Sequence, residues 1–296
     1  MGATAVIIRS CNEQELIGRC LEAVLAQHHP QFEVIVVDSG STDRTREIVA
    51  SFPTVRLVPM ASADFTFGRA LNLGIRAAAA GTEFLVFLSA HAVPRQNDWL
   101  ARLVAALDDD ADVVGAYGRQ EPWPEHLNNR IVRYLAAHGY RECYGEKSFR
   151  TREGGYFSNA NAAIRVRDWE ELPFDENLPY TEDGLWAKTM QQRGRVIAYV
   201  AESTVWHSHP DSMRQFVHRR RLEERAKVLL EGDAVQRFGW VDFAKAIART
   251  WRHQLGRLVM RRAALRDCFN AGLVEGLMAS TMVMERRKLP RSEKKI

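Results

Sequence analysis

Apolar residues in this chain fall into short runs, unbroken at Ala5–Ile8, Val34–Val37 and Phe84–Leu88 and interrupted only by Arg56 at Val55–Val58, separated by stretches where they recur every three or four positions. Runs that do not alternate with polar residues predict strands covered on both faces, as in a parallel sheet flanked by helices. Between them, Leu16, Ile17, Cys20, Leu21, Val24 and Leu25 trace one helical face, and Phe65–Ala80 and Asn97–Leu107 read as further helices. In the second half, Val113–Tyr117 reads as a strand and Tyr156–Arg165 as a strand carrying Asn159 and Asn161. Thr181, Glu182 and Asp183 then open a helix that Gly194 ends, and Val196–Val200 follows as another strand. The pattern predicts an α/β fold with a covered, mostly parallel sheet.

Polar residues collect where these strands stop. Val34–Val37 runs straight into Asp38, Ser39, Gly40, Ser41, Thr42 and Asp43, at the carboxyl end of a buried strand, where open α/β sheets bind ligands. Asp38 can accept hydrogen bonds from a base or ribose, Gly40 permits a sharp turn, and Ser41–Asp43 can cap the next helix. The run Phe84–Leu88 ends similarly, in Ser89, Ala90 and His91. Glu182 and Asp183 suit a helix start, where the dipole favours acidic residues. His207 and His209, two apart on an extended segment, point to one side, from which one can reach a metal. Pro122–Arg152 mixes aromatic and basic residues in a way that suits sugar contacts or a covering segment.

Charge divides the chain. Residues 1–211 carry 21 basic and 28 acidic residues, whereas 212–296 carry 20 basic and 9 acidic. Within that tail Val241–Arg262 is amphipathic, with Ala244, Ile247, Trp251, Leu255 and Leu258 on one stripe. Three uses are open to it: packing on the body, lying on an anionic membrane surface, or pairing two subunits as a homodimer. The four cysteines are scattered, without metal or redox spacing. No basic leader precedes the first apolar run, so a cytoplasmic location is expected, peripheral at the inner face of the plasma membrane if the tail binds lipid. An aromatic–basic recognition motif is missing from the tail, so nucleic acid is not an expected partner.

Taken in order, Asp38–Asp43, Ser89–Pro94, Asn159–Asn161, Glu182–Asp183 and His207–His209 resemble the family 2 glycosyltransferases of the GT-A fold, most closely their rhamnosyltransferase-like branch. The resemblance covers roughly residues 3 to 225. It implies a GT-A domain over 1–211, with a nucleotide-binding half 1–118 and an acceptor and catalytic half 119–211, followed by a basic helical extension over 212–296. It also implies an inverting transfer from a nucleotide-sugar donor, of dTDP-rhamnose or UDP-sugar type, to a bacterial glycan or lipid-linked acceptor. Asp183 then matches the base, and Glu182 orients it or the acceptor. The nucleotide side draws on Asp38, Ser10, Asn12, Ser41, Asp43, Arg69, Asn72, Ser89 and Ala90, and His91 and His207 flank the metal position.

One departure from the family pattern stands out: aspartate is usual where His91 stands, and Ser89 is not acidic either. Two readings follow. A divalent cation, Mn2+ or Mg2+, is held by His91, His207 and the diphosphate oxygens, or arginine neutralises the diphosphate instead. The same departure is the best argument for the alternative, a catalytically inactive nucleotide-sugar-binding or scaffold protein, against which the Glu182–Asp183 pair stands. A dinucleotide-dependent oxidoreductase lacks its glycine-rich fingerprint after the first strand.

Overall fold

The computed structural model describes residues 2–138, 145–154, 156–219 and 221–222. The chain divides into two compact units, Met1–Trp123 with Tyr140–Ser208, and Pro124–Gly139 with His209–Ile296.

The first unit is built on a nine-stranded sheet. Its strands are β1 (Thr4–Ser10), β2 (Phe32–Asp38), β3 (Val55–Pro59), β4 (Phe84–Ser89), β5 (Val93–Pro94), β6 (Val113–Glu121), β7 (Phe149–Thr151), β8 (Asn161–Arg165) and β9 (Val196–Trp206). They lie in the order β3-β2-β1-β4-β8-β6-β9-β5, with β7 also on β9. The first four are mutually parallel, and β8 inserts antiparallel between β4 and β6. The helices are α1 (Ile17–Leu25), α2 (Thr45–Ala50), α3 (Phe67–Arg76), α4 (Trp99–Asp108), α5 (Arg130–His138) of the second unit, α6 (Val166–Glu171) and α7 (Glu182–Gln192).

Two cores explain the unbroken apolar runs. Val6, Ile8, Val34, Val36, Val86 and Leu88 pack on one side with α1 and α4, through Ile17, Leu21, Val24, Leu100 and Leu103. Ala5, Ile7, Ile35, Val37, Leu85 and Phe87 pack on the other with Leu71 and Ile75 of α3 and Trp186 and Met190 of α7. Neither face of the central strands meets water, so neither selects polar residues. Each buried aliphatic side chain contributes about 1.5–3 kcal/mol relative to exposure.

The strand order reverses at β1, which lies between β2 and β4. Such a switch point opens a crevice beyond the carboxyl ends of the strands. Register places Ser10 beside Asp38 and Arg9 beside Ser89 at that edge.

Two strand expectations need correction. Pairing over 156–165 begins only at Asn161. The residues before it form a loop because the Asn159 N–H donates to Asp183 Oδ2 (3.1 Å) and the Asn161 N–H closes a turn on Ser158 O (3.1 Å). Strand β9 runs past Val200 to Trp206, its register against β6 shifting between Gly118 and Arg119.

In the second unit Asn129 caps α5, its side-chain oxygen accepting from the N–H of Ile131 (2.8 Å) and Val132 (3.2 Å). Ile131 and Phe216 bury against Leu135, Met213 and Val217. The amphipathic segment Val241–Arg262, and with it membrane contact, packing or dimer pairing by the tail, lies outside the described residues. Among the described residues no helix is long and apolar enough to cross a membrane.

The start of α3 is packed backbone to backbone: a Cβ on Gly68 would overlap the Asp175 carbonyl. Gly68→Ala is expected to destabilise the chain by about 2 kcal/mol net, since the overpacking cost exceeds the roughly 1 kcal/mol of helix propensity gained. A lowered urea midpoint checks this; an unchanged or raised one contradicts it.

Candidate active site

Two loops at the carboxyl edge of the sheet are knitted together by side chains. Asn12, held in left-handed backbone at φ 55°, donates its N–H to Ser41 Oγ (2.8 Å) and accepts on its side-chain oxygen from the Thr42 N–H (2.8 Å). The Glu13 N–H donates to Thr45 Oγ1 (2.8 Å) and the Gln14 N–H to Asp43 Oδ2 (3.1 Å). Asp38 is buried and turns back on its own loop, accepting from Ser41 N–H (3.0 Å) and Ser41 Oγ–H (2.5 Å). Gly40, at φ 87°, lets this loop press against Ser62. Ser10 is buried with a hydroxyl that makes no hydrogen bond, a debt that a ligand in the cradle would relieve.

The carboxylate pair stands across the same edge. Ser89 N–H bonds Ala160 O (3.4 Å), and Ala90 N–H bonds Arg9 O (3.1 Å), so the ends of β1, β4 and β8 meet. Immediately before β8, the backbone N–H of Asn159 donates to Asp183 Oδ2, and that of Gly184 to Asp183 Oδ1 (2.7 Å). Each oxygen of Asp183 is therefore fixed. Glu182 is 4% exposed, and Thr181 before it is left-handed at φ 67°, an uncommon state for a β-branched residue. Strain of this kind collects at functional sites.

Burial pushes the Glu182 carboxyl up to about 8, and the charge of Asp183 adds to it. Burial also raises Asp183, but the two backbone N–H groups favour its ionised form. One proton shared by the pair therefore belongs on Glu182, leaving Asp183 able to accept another. The counter-charge is Arg9, whose guanidinium burial pulls below its ordinary range while Glu182 and Asp183 push back. Arg9 lies over the Phe67 ring at 4.6 Å, and its Nε is buried without a hydrogen bond. Asn159 is fully buried, and its side-chain amide lies beside Glu182 without closing a hydrogen bond of good geometry.

The third group is a pair of imidazoles. His91 and His207 stack at 4.9 Å between centroids and 17° between planes, with their Nε2 atoms 3.1 Å apart. Behind them, Glu13 Oε1 lies 2.7 Å from His91 Nδ1 and Gln120 Oε1 lies 2.8 Å from His207 Nδ1. If each Nδ1–H donates to the oxygen behind it, two Nε2 lone pairs face one another. That arrangement needs a proton or a cation between them. Imidazoles backed by a carboxylate or carbonyl oxygen are the usual dress of metal-binding histidines. Nitrogens at adjacent corners of an octahedral ion, with bonds of about 2.1 Å, stand about 3 Å apart. The donor set thus fits a divalent cation, with imidazole in place of carboxylate.

Several expected residues are placed otherwise. Asn72 is 1% exposed and its amide is committed to Phe174 O (2.8 Å), Glu176 Oε1 (3.0 Å) and the Trp169 indole N–H (2.8 Å), so it pins a loop. Arg69 reaches Glu176 (3.4 Å) and Asp64 O (3.2 Å). Ala90 is wholly buried. Sequence reading passed over Arg9, Glu13 and Gln120. The signal for Arg9 was a cation closing an otherwise apolar strand; Glu13 and Gln120 had none.

The family described as Glycosyl transferase family 2 matches residues 5–172. The chain is 29% identical over 220 residues to the O-antigen chain rhamnosyltransferase RfbN of Salmonella typhimurium, covering 71% of this chain and 68% of that one. It is 32% identical over 193 residues to the O-antigen chain rhamnosyltransferase WbaN of Salmonella anatum, covering 62% and 58%. The mannosyltransferase PcManGT from Pyrobaculum calidifontis, solved with GDP-Man and Mn2+, superposes with TM-score 0.62 at 21% identity, covering 100% of this chain and 88% of that one. Staphylococcus aureus TarS 1-349 with UDP-GlcNAc gives TM-score 0.58 at 14% identity, covering 96% and 92%. These two likenesses establish the GT-A fold.

A raised Glu182 sets a sign for stability against pH. The folded chain keeps this proton up to about 8, whereas the unfolded chain releases it near the ordinary 4.5, so the contribution is full below 4.5 and is lost as pH rises to 8. Glu182→Gln should remove that slope and raise the melting temperature at pH 8 relative to the parent. Parallel melting curves for the two proteins between pH 5 and 8 would contradict it.

Proposed function

The chain belongs to glycosyl transferase family 2, and from that premise we propose that it transfers a sugar, with inversion, from a nucleoside-diphosphate donor to a hydroxyl of a bacterial glycan or lipid-linked oligosaccharide. The observation that carries this reading is that a fixed ionisable base beside the loop before β8, a half-buried counter-cation at the end of β1 and a backed imidazole pair following β4 and β9 are all set where these strands stop. Asp183 takes the proton of the acceptor hydroxyl as its oxygen attacks the anomeric carbon, and the bond to the diphosphate breaks on the opposite face. Glu182, protonated, keeps a second negative charge out of the site. A transition state with oxocarbenium character gains from fixed charges placed before the reaction begins.

On the donor side the loops 10–14 and 38–45 form the nucleotide cradle, with Asp38, Ser10, Asn12, Ser41 and Asp43 as its polar members. A divalent cation held by His91 and His207 would supply positive charge to the departing diphosphate. The mannosyltransferase of the same fold was solved in complex with both GDP-Man and Mn2+, which supports this choice over arginine alone. Rhamnose on dTDP is the preferred donor, because both Salmonella relatives are rhamnosyltransferases of O-antigen chains.

Asp183→Asn should abolish transfer, leaving calorimetric affinity for dTDP, UDP or GDP within about twofold of the parent; surviving transfer would displace Asp183 as base. Glu13→Ala, which removes a group that touches no ion, should weaken Mn2+ binding about 10- to 100-fold by titration calorimetry. Unaltered Mn2+ affinity in that variant, with His91→Ala also unchanged, would remove the imidazole site.

A further inference from the structure

An aromatic cluster stands beside the carboxylates with no part in the chemistry above. Phe65 and Phe67 meet edge to face at 5.1 Å, and Phe67 meets Tyr180 at 5.0 Å. Phe65 is 37% exposed, one of three large apolar side chains that remain so among the described residues. Its surroundings are rigid. Thr66 caps α3, accepting from Arg69 N–H (3.1 Å) and donating to Glu176 O (2.9 Å), while Gly68 abuts the Asp175 carbonyl.

Two routes join this cluster to the base. Along the chain, Tyr180 is followed by the left-handed Thr181 and then by Glu182 and Asp183. Through space, Arg9 lies over Phe67 and is in turn coupled to both carboxylates. The cluster is fringed by Arg69, which pairs with both Asp64 (3.8 Å) and Glu176 (3.4 Å). An aromatic surface with a charged rim, next to a proton acceptor, has the chemistry of a sugar subsite: the ring packs its C–H face on the aromatics while its hydroxyls point to the rim and the base. A protein or lipid partner would want a broader apolar patch.

We propose that Phe65, Phe67 and Tyr180 form a stacking platform for the acceptor pyranose whose hydroxyl is presented to Asp183. The outward position of Phe65 favours the acceptor, which enters from solvent, over the donor sugar, which is tied to its nucleotide in the cradle. The proposal rests on Asp183 as the base, but its test needs no turnover.

Saturation-transfer NMR with irradiation of the protein's aromatic protons would use the methyl glycosides of rhamnose, mannose, galactose and glucose as probes. The parent should transfer saturation to ring C–H protons of at least one glycoside. Phe65→Ala should weaken that glycoside about two- to tenfold, and Phe65→Trp should restore it. Calorimetric affinity for dTDP should be the same in all three proteins, which reports an intact fold. No transfer to any glycoside from a parent that binds dTDP would overturn the platform. So would equal transfer in Phe65→Ala, or a loss in that variant confined to dTDP binding. Failure of the base assignment shows separately, as turnover by Asp183→Asn.

Discussion

A guanidinium placed at the inner end of a buried strand must be compensated, and much of this site follows from how Arg9 meets that requirement. Two carboxylates face it, and they do not share its charge equally. Asp183 has two backbone N–H groups to stabilise an anion, Glu182 is the more deeply enclosed, and so one negative charge balances one positive charge while the remaining proton stays put. Removing Arg9 or Asp183 would leave an unpaired charge in a low-dielectric setting, which is far more costly than the same change at a surface. Geometry and protonation are therefore set together.

The antiparallel strand β8 is what brings that balance into the parallel half of the sheet. It pairs with β4 so that Leu88 faces Asn161, and the loop before it falls against Ser89. The cradle proposed for the nucleotide is assembled independently, from hydrogen bonds between the loops after β1 and β2. The imidazole pair joins yet other segments, with His91 following β4 and His207 following β9. Each component has its own supports, and the sheet supplies the common edge.

Much of this could be read from the chain alone. Non-alternating runs at Val34–Val37 and Phe84–Leu88 told of strands buried twice over, because a strand with two dry faces leaves no position for a polar side chain. The acidic pair at 182–183 and the histidines at 91 and 207 were legible as polar residues at element ends. What escaped depended on partners distant in sequence. Asn72 looked like a ligand contact beside Arg69, but its amide is spent on Phe174 and Trp169, about a hundred residues away. Glu13 looked like an ordinary loop residue until His91 arrived across the sheet edge. Arg9 could be taken as a polar strand terminus, although a cation closing the apolar run Ala5–Ile8 was there to be read.

The bonds from Thr66, Asn72 and Arg76 to Glu176 lock the segments bearing Phe65, Phe67 and Tyr180 into one frame, while the cradle loops are laced elsewhere. Side chains on that frame can be exchanged during evolution without disturbing the lacing of Asn12, Ser41 and Asp43. On the acceptor platform proposed above, a lineage built on this scaffold can thus diversify one substrate while conserving the other by altering a few rings.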